Sequence, residues 1–133
     1  MTTKIIHSAG KRKTAIARAT LRPGKGIVMV NSLLLAHVEP KIARMKMQEP
    51  LVLAGDFAHK VNISVNVNGG GSISQAEAVR LALGRVLTEF APELKETLME
   101  YDRRMIVADV RRKETRKPNR AGKARAKVQK SYR

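Results

Sequence analysis

Residues 115–133 contain eight Lys or Arg side chains and no carboxylate: Arg116, Lys117, Arg120, Lys123, Arg125, Lys127, Lys130 and Arg133. The chemistry open to such a run is phosphate neutralisation. Arginine forks onto phosphate oxygens bidentately, and lysine acts as a point charge. Between the cations stand small or polar residues, with only Val128 and Tyr132 of any bulk. The segment has too much charge to collapse and too little apolar surface to pack, so it is expected to be disordered when alone. A polyanion reverses that balance, because each neutralised phosphate releases condensed counterions and supplies the free energy of ordering. Fully extended, the segment reaches on the order of 60 Å at roughly 3.3 Å per residue.

Two further clusters invite an anion. Gly10-Lys11-Arg12-Lys13 places three cations at what reads as a hairpin tip, and Arg18 and Arg22 add charge to one strand face beyond it. Most basic turns are merely solvated; beside such a tail, phosphate contact is the favoured reading. Gly69-Gly70-Gly71-Ser72-Ile73-Ser74-Gln75 joins a strand to a helix start, where free amides and the helix dipole favour negative charge. Contiguous glycines are no dinucleotide fingerprint, and no Gly-Lys-Ser/Thr follows to make a Walker loop. A flexible turn explains the glycines equally well, so both readings stand. His7, His37 and His59 are isolated without zinc spacing, and the absence of cysteine removes disulfides and thiolate metal sites. No nucleophile elbow is present. The chain is therefore expected to be no enzyme, with no cofactor, metal or small-molecule substrate.

The formal net charge is +16, and it is unevenly placed. Residues 1–102 carry fourteen basic and nine acidic side chains, whereas residues 103–133 carry thirteen and two. Such a field points to nucleic acid or an anionic membrane. The membrane is disfavoured because the tail lacks a Leu, Phe or Trp face and no stretch approaches a membrane span. Residues 1–7 have no apolar signal core, so a cytoplasmic location is expected. Only four aromatics occur, Phe57, Phe90, Tyr101 and Tyr132. That argues for recognition of backbone and shape over base stacking.

The elements that must position these groups follow from periodicity. Residues 4–9 and 14–22 read as strands joined by the basic turn, and Ala15, Ala17, Ala19 and Leu21 share the inner face of the second. Residues 27–30 form a short strand. Pro40 suits a first helical position, Ile42, Met45 and Gln48 give the helical period, Pro50 ends or kinks the helix, and Gly55 stops it. In residues 61–68, Val61, Ile63, Val65 and Val67 alternate with Asn62, Ser64, Asn66 and Asn68, one buried face and one polar. Ser74 is expected to open a helix through a capping box with Glu77. Its apolar stripe is Ala76, Val79, Leu83, Val86, Leu87 and Phe90, with Arg80 and Arg85 off it. Pro92 starts a further helix, on which Glu93, Glu96, Glu100 and Asp102 look like a solvated face. Residues 105–110 read as a last strand. The order β-β-β-α-β-α-α-β indicates an α+β fold, a two-layer α/β sandwich with helices on one face of a mixed sheet. Residues 1–112 make the body and residues 113–133 the extended basic C-terminal tail.

Together these segments resemble a known family, the ninth protein of the small ribosomal subunit, or universal ribosomal protein S-nine. The resemblance rests on Gly10-Lys11-Arg12-Lys13-Thr14-Ala15-Ile16-Ala17-Arg18. It continues through Gly69-Gly70-Gly71-Ser72-Ile73-Ser74-Gln75-Ala76-Glu77-Ala78-Val79-Arg80 and Arg85-Val86-Leu87. It ends on Asp109, Arg111, Glu114, Lys123-Ala124-Arg125, Gln129, Ser131 and Arg133. Tyr101-Asp102-Arg103-Arg104 and the ending Gln129-Lys130-Ser131-Tyr132-Arg133 resemble the archaeal type. The resemblance implies a fold like the second domain of ribosomal protein S-five, with a left-handed β-α-β crossover where general rules expect a right-handed one.

It also implies a structural constituent of the small subunit on the cytoplasmic ribosome, bound to the three-prime major domain of the ribosomal RNA in the head, beside other head proteins. The tail would reach the peptidyl-site tRNA. On charge and resemblance together, ribosomal RNA contacts are expected from Lys11, Arg12, Lys13, Arg18, Arg22, Gly70, Gly71, Arg80, Arg111, Arg116, Lys117, Lys123, Arg125 and Lys127. Peptidyl-site tRNA contacts are expected from Lys130, Ser131 and Arg133. Tyr132 stands where bacterial members carry lysine, which replaces an ionic contact by a hydroxyl or a stacking ring. The rivals are an RNA-processing ribonucleoprotein subunit, which would need a basic cleft on the body, and a histone-like compacting protein.

Overall fold

The computed structural model describes residues 4–120 and 122–125. Strands β1 (Ile6–Arg12) and β2 (Ala15–Pro23) form an antiparallel hairpin whose register runs from Ile6 opposite Leu21 to Arg12 opposite Ala15. The turn is therefore the pair Lys13-Thr14, with Lys13 at φ 54°. This corrects the sequence expectation, because Gly10, Lys11 and Arg12 belong to the strand. A two-residue turn with positive φ lets the pairing run to its last residue. Strands β3 (Val28–Val30), β4 (Leu33–Leu34) and β5 (Val61–Asn68) complete a five-stranded sheet in the order β1-β2-β5-β3-β4. β5 lies antiparallel to β2 and parallel to β3. A parallel pair needs a long crossover, and helix α1 (Lys41–Ala54) lies in that connection.

Helix α2 (Ser72–Phe90) is the centre of the second layer, and α3 (Leu94–Tyr101) packs on it. The core forms where the small inner face of β2 and the valine face of β5 meet the helices. Ala15, Ala17, Ala19, Leu21, Val61, Ile63, Val65 and Val67 are all buried, as the alternation predicts. α2 buries Ala78, Leu81, Ala82 and Gly84 beyond the expected stripe, because β1, β2, α1 and α3 all pack around it.

Several boundaries differ from expectation. In α1 the buried positions are Ala43, Met47, Pro50 and Ala54, while Ile42 and Met45 are exposed. Both sets have helical spacing; the one with smaller residues allows close approach to α2. Pro50 does not end the helix. It forfeits one backbone bond and is buried in the core, and the helix stops at Gly55, φ 56°. α2 begins at Ser72 after Gly71, without a side-chain cap. The capping box is absent because the N-cap is Gly71 and Ser74 lies inside the first turn, while Glu77 meets two cations described below. The expected last strand is instead a 3-10 turn (Arg103–Met105) followed by irregular chain. Met105 is fully buried, its carbonyl lying where a side chain on Gly84 would project.

Candidate nucleic-acid interface

With the helices on one face, the alternate residues of the strands form an open face on the other. Register aligns His7 with Thr20 and Ser64, Ala9 with Arg18 and Asn66, and Arg22 with Asn62. None of these is a carboxylate, and Arg18, Arg22, Ser64, Asn66 and Asn68 are exposed. His7 Nδ1 and Thr20 Oγ1 share a hydrogen bond at 3.1 Å. Asn62 Oδ1 accepts from the Lys25 and Ile27 amides at 2.8 and 3.1 Å, which fixes the turn after β2 to the face. Beside it, Thr20, Arg22, Met29, Asn62 and Ser64 line a shallow concavity of about 460 Å³. The alternation of β5 signalled this polar face in the sequence, although its Asn and Ser residues had no assigned contact.

At one end of the face, two clusters distant in sequence meet. Lys13 is exposed at the hairpin turn, and the glycine loop rests against that turn. Gln75 Nε2 donates to the Gly69 carbonyl at 3.1 Å. Gly70 has φ +68°, and a Cβ there would lie 3.1 Å from the Ala15 Cβ and 3.3 Å from the Ser74 Cβ. Gly70→Val is expected to cost about 2 kcal/mol, since a β-branched side chain is strained at positive φ and the site is already tight. Urea unfolding measures it; wild-type stability would show that the loop relaxes freely into another turn.

The structure takes other expected phosphate ligands inward. Arg12 Nε meets Glu77 Oε2 at 2.6 Å, and its NH1 meets Asp109. Lys46 Nζ donates to Glu77 at 3.0 Å. Arg80 bridges Glu49 on α1 at 2.5 Å and Asp102 after α3 at 2.9 Å. Side chains of Arg12 and Arg80 are only 14% exposed. Arg85 donates to the Ile106 carbonyl at 3.0 Å and to the Ala9 carbonyl at 2.9 Å. Lys11, Arg12, Lys46, Arg80 and Arg104 line a cleft of about 300 Å³ together with four carboxylates, Glu49, Glu77, Asp102 and Asp109. Asp102 is thus no part of a solvated helix face, and Arg12 does not stand at an exposed turn. Arg12 and Arg80 lie at least 22 residues from every carboxylate they meet, so no local signal marks these pairings.

Burial alone would raise the Glu77 carboxyl, but the bond and charge of Lys46, then those of Arg12, hold it below its ordinary value. Burial works the same way on Asp102. There the Arg104 amide, the Arg80 bond and charge, and the Arg104 charge outweigh it and lower the carboxyl.

Arg111 turns back to Asp109, with its NH2 3.2 Å from Oδ2. Glu114 accepts from Lys117 at 2.7 Å and from Arg125 at 2.6 Å, and these bonds lower its carboxyl. Arg116 and Lys123 are exposed. Lys127, Lys130, Ser131 and Arg133 lie outside the described residues. Among the described residues, no group of three or more His, Asp or Glu is placed to hold a metal ion. No helix among the described residues is long and apolar enough to cross a membrane.

A one-sided sheet with a carboxylate-free polar face, followed by a strongly cationic extension, defines a class: small basic α+β proteins of two layers. The profile described as "Ribosomal protein S9/S16" matches residues 10–133. "Small ribosomal subunit protein uS9" of Methanococcus maripaludis is 47% identical over 133 residues, covering 98% of this chain and 99% of the relative. The protein of the same description from Methanothrix thermoacetophila is 49% identical over 132 residues, with the same coverage. The chain belongs to the ribosomal protein S9/S16 family.

Proposed function

We propose that this chain is a structural, non-catalytic constituent of the small ribosomal subunit in the cytoplasm. In this reading it holds ribosomal RNA of the head with its body and reaches the peptidyl-site tRNA with its tail. The ribosomal role is supported by the family and by relatives described as small-subunit proteins. The observation that carries the division of labour is the placement of charge, with thirteen of twenty-seven basic side chains in residues 103–133. The same reading divides the chain into a body of residues 1–112 and a tail of residues 113–133. It places the family's left-handed crossover in β3-α1-β5, where the parallel pair is joined by a helix.

On the body, Lys11, Lys13, Arg18, Arg22, Gly70 and Gly71 face the RNA, while Arg12 and Arg80 act behind them as internal ties. Arg111 follows at the end of the body, and Arg116, Lys117, Lys123, Arg125 and Lys127 along the tail. Lys117 and Arg125 must exchange Glu114 for phosphate, a near-balanced swap of one anion for another. A processing subunit would need a basic cleft, and in the cleft of this body four carboxylates offset all but one of the five cations.

Sedimentation tests the main claim: the endogenous protein should travel with small subunits, and persistent migration as free protein would refute it. Deleting residues 131–133 tests the tail tip and removes one of the twenty-seven cations, Arg133. Folding and incorporation should hold, while peptidyl-site tRNA leaves purified small subunits faster. One charge-assisted contact is worth roughly 1.5–3 kcal/mol at most, and neighbouring contacts will hide part of it. The effect should not depend on tRNA sequence, because phosphate contacts carry no base information. Identical off-rates at several salt concentrations would remove the tip from the tRNA site.

A further inference from the structure

We infer that the helix-free sheet face docks on the minor groove of an A-form RNA duplex, with Arg18 and Arg22 on phosphates and Thr20, Ser64 and Asn66 on 2′-hydroxyls between them. The inference rests on the RNA-binding reading above and names the form of RNA that the body takes. Arg18 and Arg22 stand four residues apart on one face of β2, about 13–14 Å at the rise of a strand. The register sets Ser64 beside Thr20 and Asn66 beside Arg18 on the neighbouring strand. Three short polar side chains thus lie in and beside the space between two cations.

The chemistry of this face selects among nucleic acids. An A-form minor groove is wide and shallow and displays 2′-hydroxyls, whereas its major groove is too deep and narrow for side chains to read. A flat face of short Ser, Thr and Asn side chains suits the shallow groove. Each of these offers both a donor and an acceptor, as a 2′-hydroxyl does. No carboxylate on the face repels phosphate. No Phe, Tyr or Trp among the described residues stands on it; its one ring is the His7 imidazole, tied to Thr20 by a hydrogen bond, so the face has no row of rings for successive unpaired bases. Phe57, Phe90 and Tyr101 lie instead in the 3-10 segment before β5 and at the ends of α2 and α3.

The probe is a short RNA duplex against a DNA duplex of the same sequence, binding to the full chain at fixed salt. Tail cations bind both duplexes through phosphate alone, so the ratio of affinities isolates the face. Wild type should prefer RNA about tenfold, and Ser64→Ala with Asn66→Ala should cut the preference to roughly twofold while leaving DNA affinity unchanged. Both residues are exposed, so the fold should survive, and a thermal melt confirms that it does. Arg18→Gln with Arg22→Gln should weaken the RNA duplex more than Arg116→Gln with Lys123→Gln, which also removes two charges. Equal RNA and DNA affinities in wild type would overturn the inference, as would a preference that survives loss of Ser64 and Asn66, or stronger binding to single-stranded RNA of equal length. A chain that travels with small subunits yet shows no duplex preference sinks this inference alone. A duplex preference in a chain that never joins subunits sinks the ribosomal reading instead.

Discussion

Gly10→Val should lower the stability of the protein by about 3 kcal/mol, the upper end of what overpacking a core costs. Gly10 lies in β1 with its missing side chain toward α2. A Cβ there would collide with the Ala78 carbonyl oxygen and lie 2.8 Å from the Ala82 nitrogen and 3.1 Å from the Leu81 Cβ. Two of those three neighbours are helix backbone, which cannot turn aside as a long side chain can. Relief requires lifting β1 off the helix, which uncovers Ile6 and the buried alanines beneath it. Against a total of roughly 5–15 kcal/mol for a domain, that loss is large. Urea unfolding should show a lower midpoint with an unchanged slope, since the surface exposed on unfolding stays the same. Gly10→Ala should fall between the two. A loss below about 0.5 kcal/mol for the valine variant would mean that β1 does not rest on α2 as described.

Arg80→Ala should cost about 2 kcal/mol. Arg80 ties α1 to the chain after α3 through Glu49 and Asp102, and its removal leaves both carboxylates beside each other without their shared cation. Breaking a fully buried pair costs about 3–5 kcal/mol and an exposed one about 0–1. Glu49 and Asp102 are 33% and 34% exposed, which sets the expectation between those limits. The pH dependence follows with a definite sign. Asp102 and Glu77 are both lowered in the folded protein, so their contribution is fully present above the ordinary carboxylate pKa. It is lost as pH falls through the lowered folded-state values. Wild type should therefore lose stability on acidification, and Arg80→Ala should lose less over the same window because Asp102 no longer gains from its partner. Parallel acid titrations of the two proteins would disprove the tie. Neutral-pH stability equal to wild type would do the same.

Much of this architecture was legible before any coordinates. The strict alternation of residues 61–68 specified a strand with one buried face, because a period of two places every second side chain on the same side. The small inner face of β2 and the stripe of α2 were readable for the same reason. The excess of cations in residues 103–133 was plain from composition alone. The first strand runs three residues beyond its expected end, since Gly10 looks like a turn glycine and is a packing glycine. In α1 the exposed Ile42 and Met45, three apart, competed with Ala43 and Met47, four apart; both spacings suit a helix face, and only the partner helix chose between them.

What the sequence by itself determined is what depends on neighbours along the chain: the type of most elements (residues 105–110 excepted), the polar and apolar faces of β2 and β5, the uneven placement of charge and the family resemblance. Tertiary structure alone decided which cations face solvent. Arg12 and Arg18 are both strand arginines of one hairpin, yet Arg12 meets Glu77 and Asp109 while Arg18 lies on the open face. That difference follows from pairing over sixty-five residues or more between Arg12 and its carboxylates, a separation no local period encodes. It also required the helices to collect on one side of the sheet, leaving the other polar face uncovered. Charge and periodicity are properties of a segment; whether a charge is spent inside or offered outside is a property of the packed layers.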